Sequence, residues 1–235
     1  MTIRTARASL LALGLLALAQ AAAAAVPTAF TARYEVLQGG EPMGEATVTL
    51  RAAGNGEWIY SKDVKGTGGL AALLGASVQE TSRFRWKGDV PEAISYDYRM
   101  QAAGKDKQRH LSADWTTHRV TVDEGKGASS YAATPGMVER NTTALALGLA
   151  LRDGKQQITL PVAVRQAVEN QQFKVSGKET VQVPAGTFQA ERVDRSDAQR
   201  EFSAWYAPAR YPMPVKLSQR DGGDLEMQLV SYRAQ

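Results

Sequence analysis

The dominant pattern along the chain is an alternation of apolar and polar positions. Phe30, Ala32, Tyr34 and Val36 are apolar, and Thr31, Arg33 and Glu35 between them are polar. Successive residues of a strand point to opposite faces, so this spacing predicts half-buried strands. Gly39-Gly40 interrupts the run, and Ala46, Val48 and Leu50 resume it against Thr47, Thr49 and Arg51. Asn55-Gly56 marks a tight turn because both residues tolerate positive φ, and Trp58, Tyr60 and Val64 follow with the same parity. Phe84 and Trp86 belong to one further strand, and Ile94, Tyr96, Tyr98 and Met100 to the next, with Lys87-Gly88-Asp89 between them. Residues 108–114 and 118–122 read as another hairpin, turned near Trp115. In the C-terminal third, strands are expected over 157–164, 171–175, 180–183, 187–193, 201–207, 215–220 and 225–232. Asp221-Gly222-Gly223 is the expected hairpin turn before the last of these.

Two stretches break the alternation in favour of helix. Gly69 to Leu74 is long enough for a turn or two. Asn141 to Arg152 is stronger, with Asn141 as the expected cap, four leucines (Leu145, Leu147, Leu149, Leu151) and Asp153-Gly154 as the stop. Residues 125–135, rich in Gly, Ser and Ala, read as a mobile loop. About a dozen short strands with connections suited to antiparallel neighbours give a mainly β fold class. A twisted sheet of that size curls or splits. The expectation is one large, strongly curved antiparallel sheet forming a barrel or half-barrel, with the short helix covering or plugging its concave side.

The first 25 residues have another character. Arg4 and Arg7 precede an apolar run from Ala8 to Ala19, and alanines follow from Ala21 to Ala25. That order predicts a secretory signal peptide cleaved between Ala21 and Val26. The apolar run is too short to span roughly 30 Å of hydrocarbon. The domain reading is therefore a signal peptide over 1–25 and a single β-rich domain over 26–235, delivered to the periplasm. With no cysteine in the chain, a lipid-anchored form is excluded and stability must come from burial. Losing the two leader arginines leaves 26 basic against 24 acidic residues, a net charge of +2. That balance gives no support to nucleic acid as a partner.

Three stretches carry a resemblance to a known family. The first is Tyr34-Glu35-Val36 with Pro42-Met43-Gly44-Glu45-Ala46. The second runs from Thr67-Gly68-Gly69-Leu70 through Gly75 into Glu80-Thr81-Ser82-Arg83-Phe84. The third is Val183-Pro184-Ala185-Gly186-Thr187-Phe188 with Trp205-Tyr206-Ala207-Pro208 and Tyr211-Pro212-Met213-Pro214-Val215. Together they resemble the exported bacterial family called domain of unknown function 3108. The resemblance implies a β-rich envelope protein and brings no catalytic residues. Physically, Pro184 to Thr187 is a turn in which Gly186 is free to take positive φ. Trp205-Tyr206 would give one ring to each face of a strand.

Catalytic chemistry has little to build on. The two histidines, His110 and His118, fall on different strands, and the four-residue spacing of His110, Asp114 and His118 would share a face only on a helix. No metal or cofactor is implied, and Gly66 to Gly69 lacks the Lys-Ser/Thr ending of a phosphate loop. Glu35, Glu45, Glu80, Asp97 and Asp114 lie on expected strands, where a converging pair would suit glycoside hydrolysis. Arg83, Arg85, Arg99, Lys107, Arg109 and Arg119 form a basic stripe expected opposite the aromatics, suited to anionic lipid or to a solvated outer face.

The aromatic face carries the leading functional reading. Tyr34, Trp58, Tyr60, Phe84, Trp86, Tyr96 and Tyr98 share one side of the sheet, with Lys62 and Glu80 among them. An unpaired charge facing a core is costly, so Lys62 and Glu80 are expected to meet. These nine residues would bind an apolar or amphipathic envelope ligand such as a lipid without transforming it. The same rings would also serve as an ordinary core. The rival functions are an assembly factor acting through protein contacts and a carbohydrate-active hydrolase or lyase.

Overall fold

The structure, a computed structural model, describes residues 26–197, 202–220 and 224–235. The leader and the turn expected at Asp221-Gly222-Gly223 lie outside the described residues. The alternation becomes strands β1 (Phe30–Gln38), β2 (Glu41–Gly54), β3 (Glu57–Gly66), β4 (Ser77–Lys87) and β5 (Val90–Ala102). A five-residue helix, α1 (Gly69–Leu73), sits in the β3–β4 connection. Next come β6 (Lys105–Asp114), β7 (Arg119–Asp123), β8 (Ala128–Ala132), β9 (Val138–Glu139) and the helix α2 (Thr143–Arg152). The chain ends in β10 (Gln157–Ala163), β11 (Val168–Val183), β12 (Gly186–Arg195), β13 (Phe202–Tyr206), β14 (Pro214–Gln219) and β15 (Leu225–Ala234).

All fifteen strands among the described residues belong to one sheet, in the order β8-β7-β6-β5-β4-β3-β2-β1-β15-β14-β13-β12-β11-β10-β9. Neighbours are antiparallel except for the short parallel pair β9–β10. The first and last strands meet in the middle, with Phe30 opposite Ala234. The sheet curls until its β9 edge reaches β5. There the Ala93 N–H donates to the Met137 carbonyl at 2.9 Å, and the Gly136 N–H donates to Glu92 Oε1 at 2.9 Å. This seam is a pair of bonds and not a ladder, so the barrel is rolled rather than closed. Strands β6 to β8 run on past it as an overhang. Leu111, Val120 and Val122 pack there on Met137 and Ala163, and the Tyr131 hydroxyl donates to the Val164 carbonyl.

Helix α2 fills the roll. Eight of its ten residues are buried, and a helix apolar on every side has no face for water. Leu145 and Leu149 pack with Phe30, Leu50, Tyr60 and Phe84, while Leu147 and Leu151 pack with Ile158, Phe173 and Val193 on the other side. Gly148 lets the helix approach the backbone before β14: a Cβ there would lie 2.0 Å from the Pro212 carbonyl oxygen. The Tyr206 hydroxyl ties the same wall to the helix by donating to the Ala144 carbonyl at 3.0 Å.

Several expectations change. The loop expected over 125–135 contains β8, whose Ser129 and Ser130 pair with Val122 and Thr121; an overhang edge has little need of an apolar face. The strands expected over 171–175 and 180–183 are one long strand, β11, with a register shift between Val175 and Gly177. Asn141 does not cap α2. Thr142 occupies that position without a side-chain capping bond, and the Asn141 amide donates instead to Ser82 Oγ at 2.9 Å. Ile94 is the extra residue of a bulge, because Arg83 faces Ser95 while Phe84 faces Ala93. Ala93, 1% exposed, takes the core position expected for Ile94.

Candidate functional site

Directly opposed residues of an antiparallel pair share a face, so the register sorts the inner face into rows. Leu50, Tyr60, Ser82, Tyr96 and Leu111 form one row. Val48, Lys62, Glu80, Tyr98 and Arg109 form the next, and Ala46, Val64, Val78, Met100 and Lys107 the one beyond. All nine predicted residues lie on this inner face, but they have different surroundings. Tyr34, Tyr60, Phe84 and Tyr96 are at most 2% exposed. Tyr34 donates to the Pro214 carbonyl at 2.9 Å, and Tyr60 donates to Met213 Sδ at 3.4 Å. Trp58, Trp86 and Tyr98 are half-buried. Trp58 and Trp86 meet edge to face at 6.0 Å, and Trp86 meets Phe84 at 4.8 Å. The buried Trp86 indole N–H has no partner among the described residues.

Lys62 and Glu80 are paired as their shared face requires. They are cross-strand partners, with Nζ 2.8 Å from Oε1, and the Tyr96 hydroxyl donates to the other Glu80 oxygen at 2.9 Å. Burial pushes the Glu80 carboxyl up. The charge and hydrogen bond of Lys62, with Arg140 and Tyr96, outweigh burial and hold it below the usual carboxylate range. Burial, followed by the Glu80 charge, raises the Tyr96 hydroxyl far above its ordinary value, so it remains a donor.

Next to this pair lies a polar group that the alternation did not reveal. Glu139, 1% exposed, accepts from the Asn141 N–H at 2.8 Å, the Thr142 N–H at 3.0 Å and the Thr142 hydroxyl at 2.7 Å. Burial raises its carboxyl; the bonds from Thr142, Ser82 and Asn141 offset this only in part, and the Glu80 charge adds to the rise. The only local signal is an acid just ahead of an apolar helix. Its strand, β9, is two residues long and shows no period. Two carboxyls shifted in opposite directions can form an acid–base pair, but both Glu139 oxygens are occupied by its own turn.

Two open grooves, each of about 380 Å³, indent the surface. One is lined by Gln79, Thr81, Asp97, Arg99, His110 and Asp123, with Tyr98 the one predicted binding residue at its margin. Here His110 Nδ1 lies 2.7 Å from Asp97 Oδ1. The other is lined by Phe188, Ala190, Ala207, Pro208 and Arg210 among others, and by none of the nine. Among the described residues no three metal-binding side chains converge.

The basic stripe is divided and mostly neutralised. Arg83 pairs with Glu57, Arg85 with Glu92, Arg99 with Asp106 and Arg109 with Glu124. Lys107 and Arg109 belong to the inner face, opposite Met100 and Tyr98, and not to the outer face with the others. The Arg109 guanidinium lies 6.0 Å from the Tyr98 ring. Where α2 leaves the wall uncovered, the inner face is half open: Lys62, Val64, Val78, Tyr98, Met100 and Arg109 are all partly exposed. Arg140, exposed, bears electrostatically on both Glu80 and Tyr98.

Residues 30–230 match the family described as "Protein of unknown function (DUF3108)". No curated protein matches the chain. Among solved structures, a β-barrel-like protein of domain of unknown function DUF1849 from Brucella abortus is 10% identical. The alignment covers 89% of this chain and 99% of that one, with a TM-score of 0.50. That likeness shows a barrel-like fold and nothing more. A putative lipoprotein from Parabacteroides distasonis is 9% identical over 88% of this chain and 97% of its own, at a TM-score of 0.32. The MucA/MucB complex of Pseudomonas aeruginosa gives 10% identity over 88% and 94%, at 0.18. Scores of that size carry no argument. Among the described residues no helix is long and apolar enough to cross a membrane, which says nothing of strands.

Proposed function

The chain belongs to the DUF3108 family, which has no described function, and from that premise we propose an exported envelope protein that binds an amphipathic ligand without transforming it. Residues 1–25 are its signal peptide, 26–235 its single domain and the periplasm its location. The observation supporting the binding role is the half-open part of the inner face. Val64, Val78 and Met100 give an apolar floor, with Lys62 and Arg109 in the adjoining row and Arg140 nearby. Such a surface suits a molecule with an apolar body and an anionic group. Tyr98 would lie against the ligand. Tyr34, Tyr60, Phe84 and Tyr96 back the wall from the core, and Glu80 holds Lys62 in place. Trp58 and Trp86 stiffen the same wall.

The protein recovered from the envelope without detergent exchange is to be examined by native mass spectrometry, then delipidated and titrated with lipid extracts. A retained species of lipid mass and a saturable change in tryptophan emission are expected. Losing the Met100 contact in Met100→Glu should weaken binding about tenfold or more, with the melting temperature little changed. A flat titration across lipids, glycans and peptides would overturn this reading in favour of an assembly factor.

A further inference from the structure

Among the described residues, the β3–β4 connection presents the largest apolar side chains left in water. Leu70 is 67% exposed, Leu73 82% and Leu74 39%, and no residue of α1 is buried. A helix of five residues has no stability of its own, so exposed leucines in a loose loop would fold inward or stay mobile. Here the backbone is fastened on three sides. The Thr67 and Gly68 N–H groups both donate to the Met43 carbonyl at 3.0 Å, and the Ala76 N–H donates to the Ala71 carbonyl at 2.9 Å. The Ala103 N–H, from the β5–β6 turn, donates to the Leu74 carbonyl at 2.9 Å. Gly66 and Gly68 permit this fastening: a Cβ on Gly66 would lie 2.8 Å from the Ala71 backbone, and one on Gly68 2.6 Å from the Pro42 oxygen. The tip is held with its leucines outward.

Charge decides what the tip faces. Lys65 at the end of β3 and Lys105 and Lys107 at the start of β6 are exposed at this same end. Among the described residues these three form no ion pair, unlike most of the stripe arginines. The acid between two of them, Asp106, is engaged by Arg99 at 3.0 Å. Exposed leucines beside unneutralised lysines are the two terms of interfacial membrane binding: apolar insertion and attraction to anionic headgroups. We infer that the tip formed by α1 and the β5–β6 turn docks the protein on an anionic lipid surface. The half-open row of Val64, Val78 and Met100 lies next to this tip along the strands, so docking would turn it toward the leaflet. Apart from Lys107, which faces Met100 across the strands, the tip residues take no part in the proposed ligand contacts.

The test is flotation of the envelope-recovered protein with vesicles of phosphatidylcholine alone and of phosphatidylcholine with phosphatidylglycerol. Binding to the mixed vesicles is expected, weakening as salt rises. Leu73→Glu should reduce it at least about tenfold, since most of a leucine's burial is lost. Lys105→Gln and Lys107→Gln should each weaken it roughly fivefold on anionic vesicles and leave neutral vesicles unaffected. Tyr98→Ala, one row away from the tip lysines, should float like the parent while losing soluble ligand, which separates the two sites. The substituted tip residues are exposed, so melting temperatures should be unchanged. Absence of flotation by the parent, or flotation indifferent to Leu73→Glu, would overturn the inference. So would capture of a purified envelope protein through Leu73 with no vesicle binding.

Discussion

Replacing Gly148 by alanine tests whether α2 is a fitted plug. In an exposed helix interior the change stabilises by about 0.8–1.0 kcal/mol, because alanine gives up less backbone freedom. In this helix a Cβ would lie 2.0 Å from the Pro212 oxygen, 2.7 Å from its carbonyl carbon and 3.3 Å from the Tyr206 ring. Relieving the first contact requires the helix or the Pro212 backbone to retreat by more than about an ångström. Neither can do so locally: Leu145 and Leu149 are packed on one side and Leu147 and Leu151 on the other. Overpacking costs about 1–3 kcal/mol, and a 2.0 Å approach to backbone puts it at about 2–3, so after the gain in helix propensity the net effect should be a loss of about 1–2 kcal/mol. For a domain near 200 residues that is a fall of about 2–8 °C in melting temperature. The assay is thermal unfolding followed by near-ultraviolet circular dichroism, checked by urea titration. Gly177→Ala is the control, since its Cβ meets nothing within 4 Å, and it should stay within about 0.5 kcal/mol of the parent. A Gly148→Ala protein that melts higher than the parent would refute the reasoning and place the helix loosely in the roll.

Other predictions follow from the same interior. Lys62→Met leaves Glu80 buried without its cation and should cost about 2–3 kcal/mol at neutral pH, low for a buried pair because Lys62 is a quarter exposed. The sign with pH is fixed by the depressed Glu80 carboxyl: its stabilisation is present above the ordinary carboxylate range and is lost as pH falls through the folded value. Urea titrations should show Lys62→Met with a shallower acid limb than the parent. Glu139 works in reverse, since its raised carboxyl lowers stability as pH rises from the ordinary range through the folded value; a carboxyl NMR titration should find it above that range and Glu80 below, and equal midpoints would contradict both assignments. Gly186 has φ +128° in the β11–β12 turn, so Gly186→Val should cost about 1–3 kcal/mol; an unchanged melting temperature would sink that turn geometry. Intact-mass measurement of periplasmic protein should show the first 21 to 25 residues missing, and a retained Met1 would remove the basis for export.

Much of the inner face was legible because parity within one strand is a local property. Tyr34, Tyr60, Phe84 and the Lys62–Glu80 pair each follow from counting by twos, and the pair follows further from the cost of a lone charge. Parity does not carry across a turn or a bulge. Ile94 was misplaced because one extra residue in β5 shifts the face, and Lys107 and Arg109 because only pairing with Met100 and Tyr98 reveals their side. Glu139 and Asn141 were illegible for another reason. The partners of Asn141, Ser82 and Tyr60, are 59 and 81 positions away, and nothing local distinguishes a buried acid such as Glu139 from a solvated one. Helix α2 was legible as an element from its leucines. That it fills the space the rings were expected to leave for a ligand emerges only from the packing.

The order in which the chain is made runs against the order in which its sheet is joined. β1 is the first strand to emerge, and β2 pairs with it at once across a two-residue turn. Its other neighbour, β15, ends at Ala234, and the Gln235 amide donates to Thr31 Oγ1 across 204 positions. Until the final strand arrives, β1 stands as a long open edge with Phe30, Tyr34 and Val36 on one flank. Such an edge invites pairing with another chain. One of the two strand pairs at the centre of the finished sheet therefore becomes possible only after the other fourteen strands have been made. Deleting β15 would remove a central neighbour from the sheet, where the loss of one strand in most folds would only trim a border.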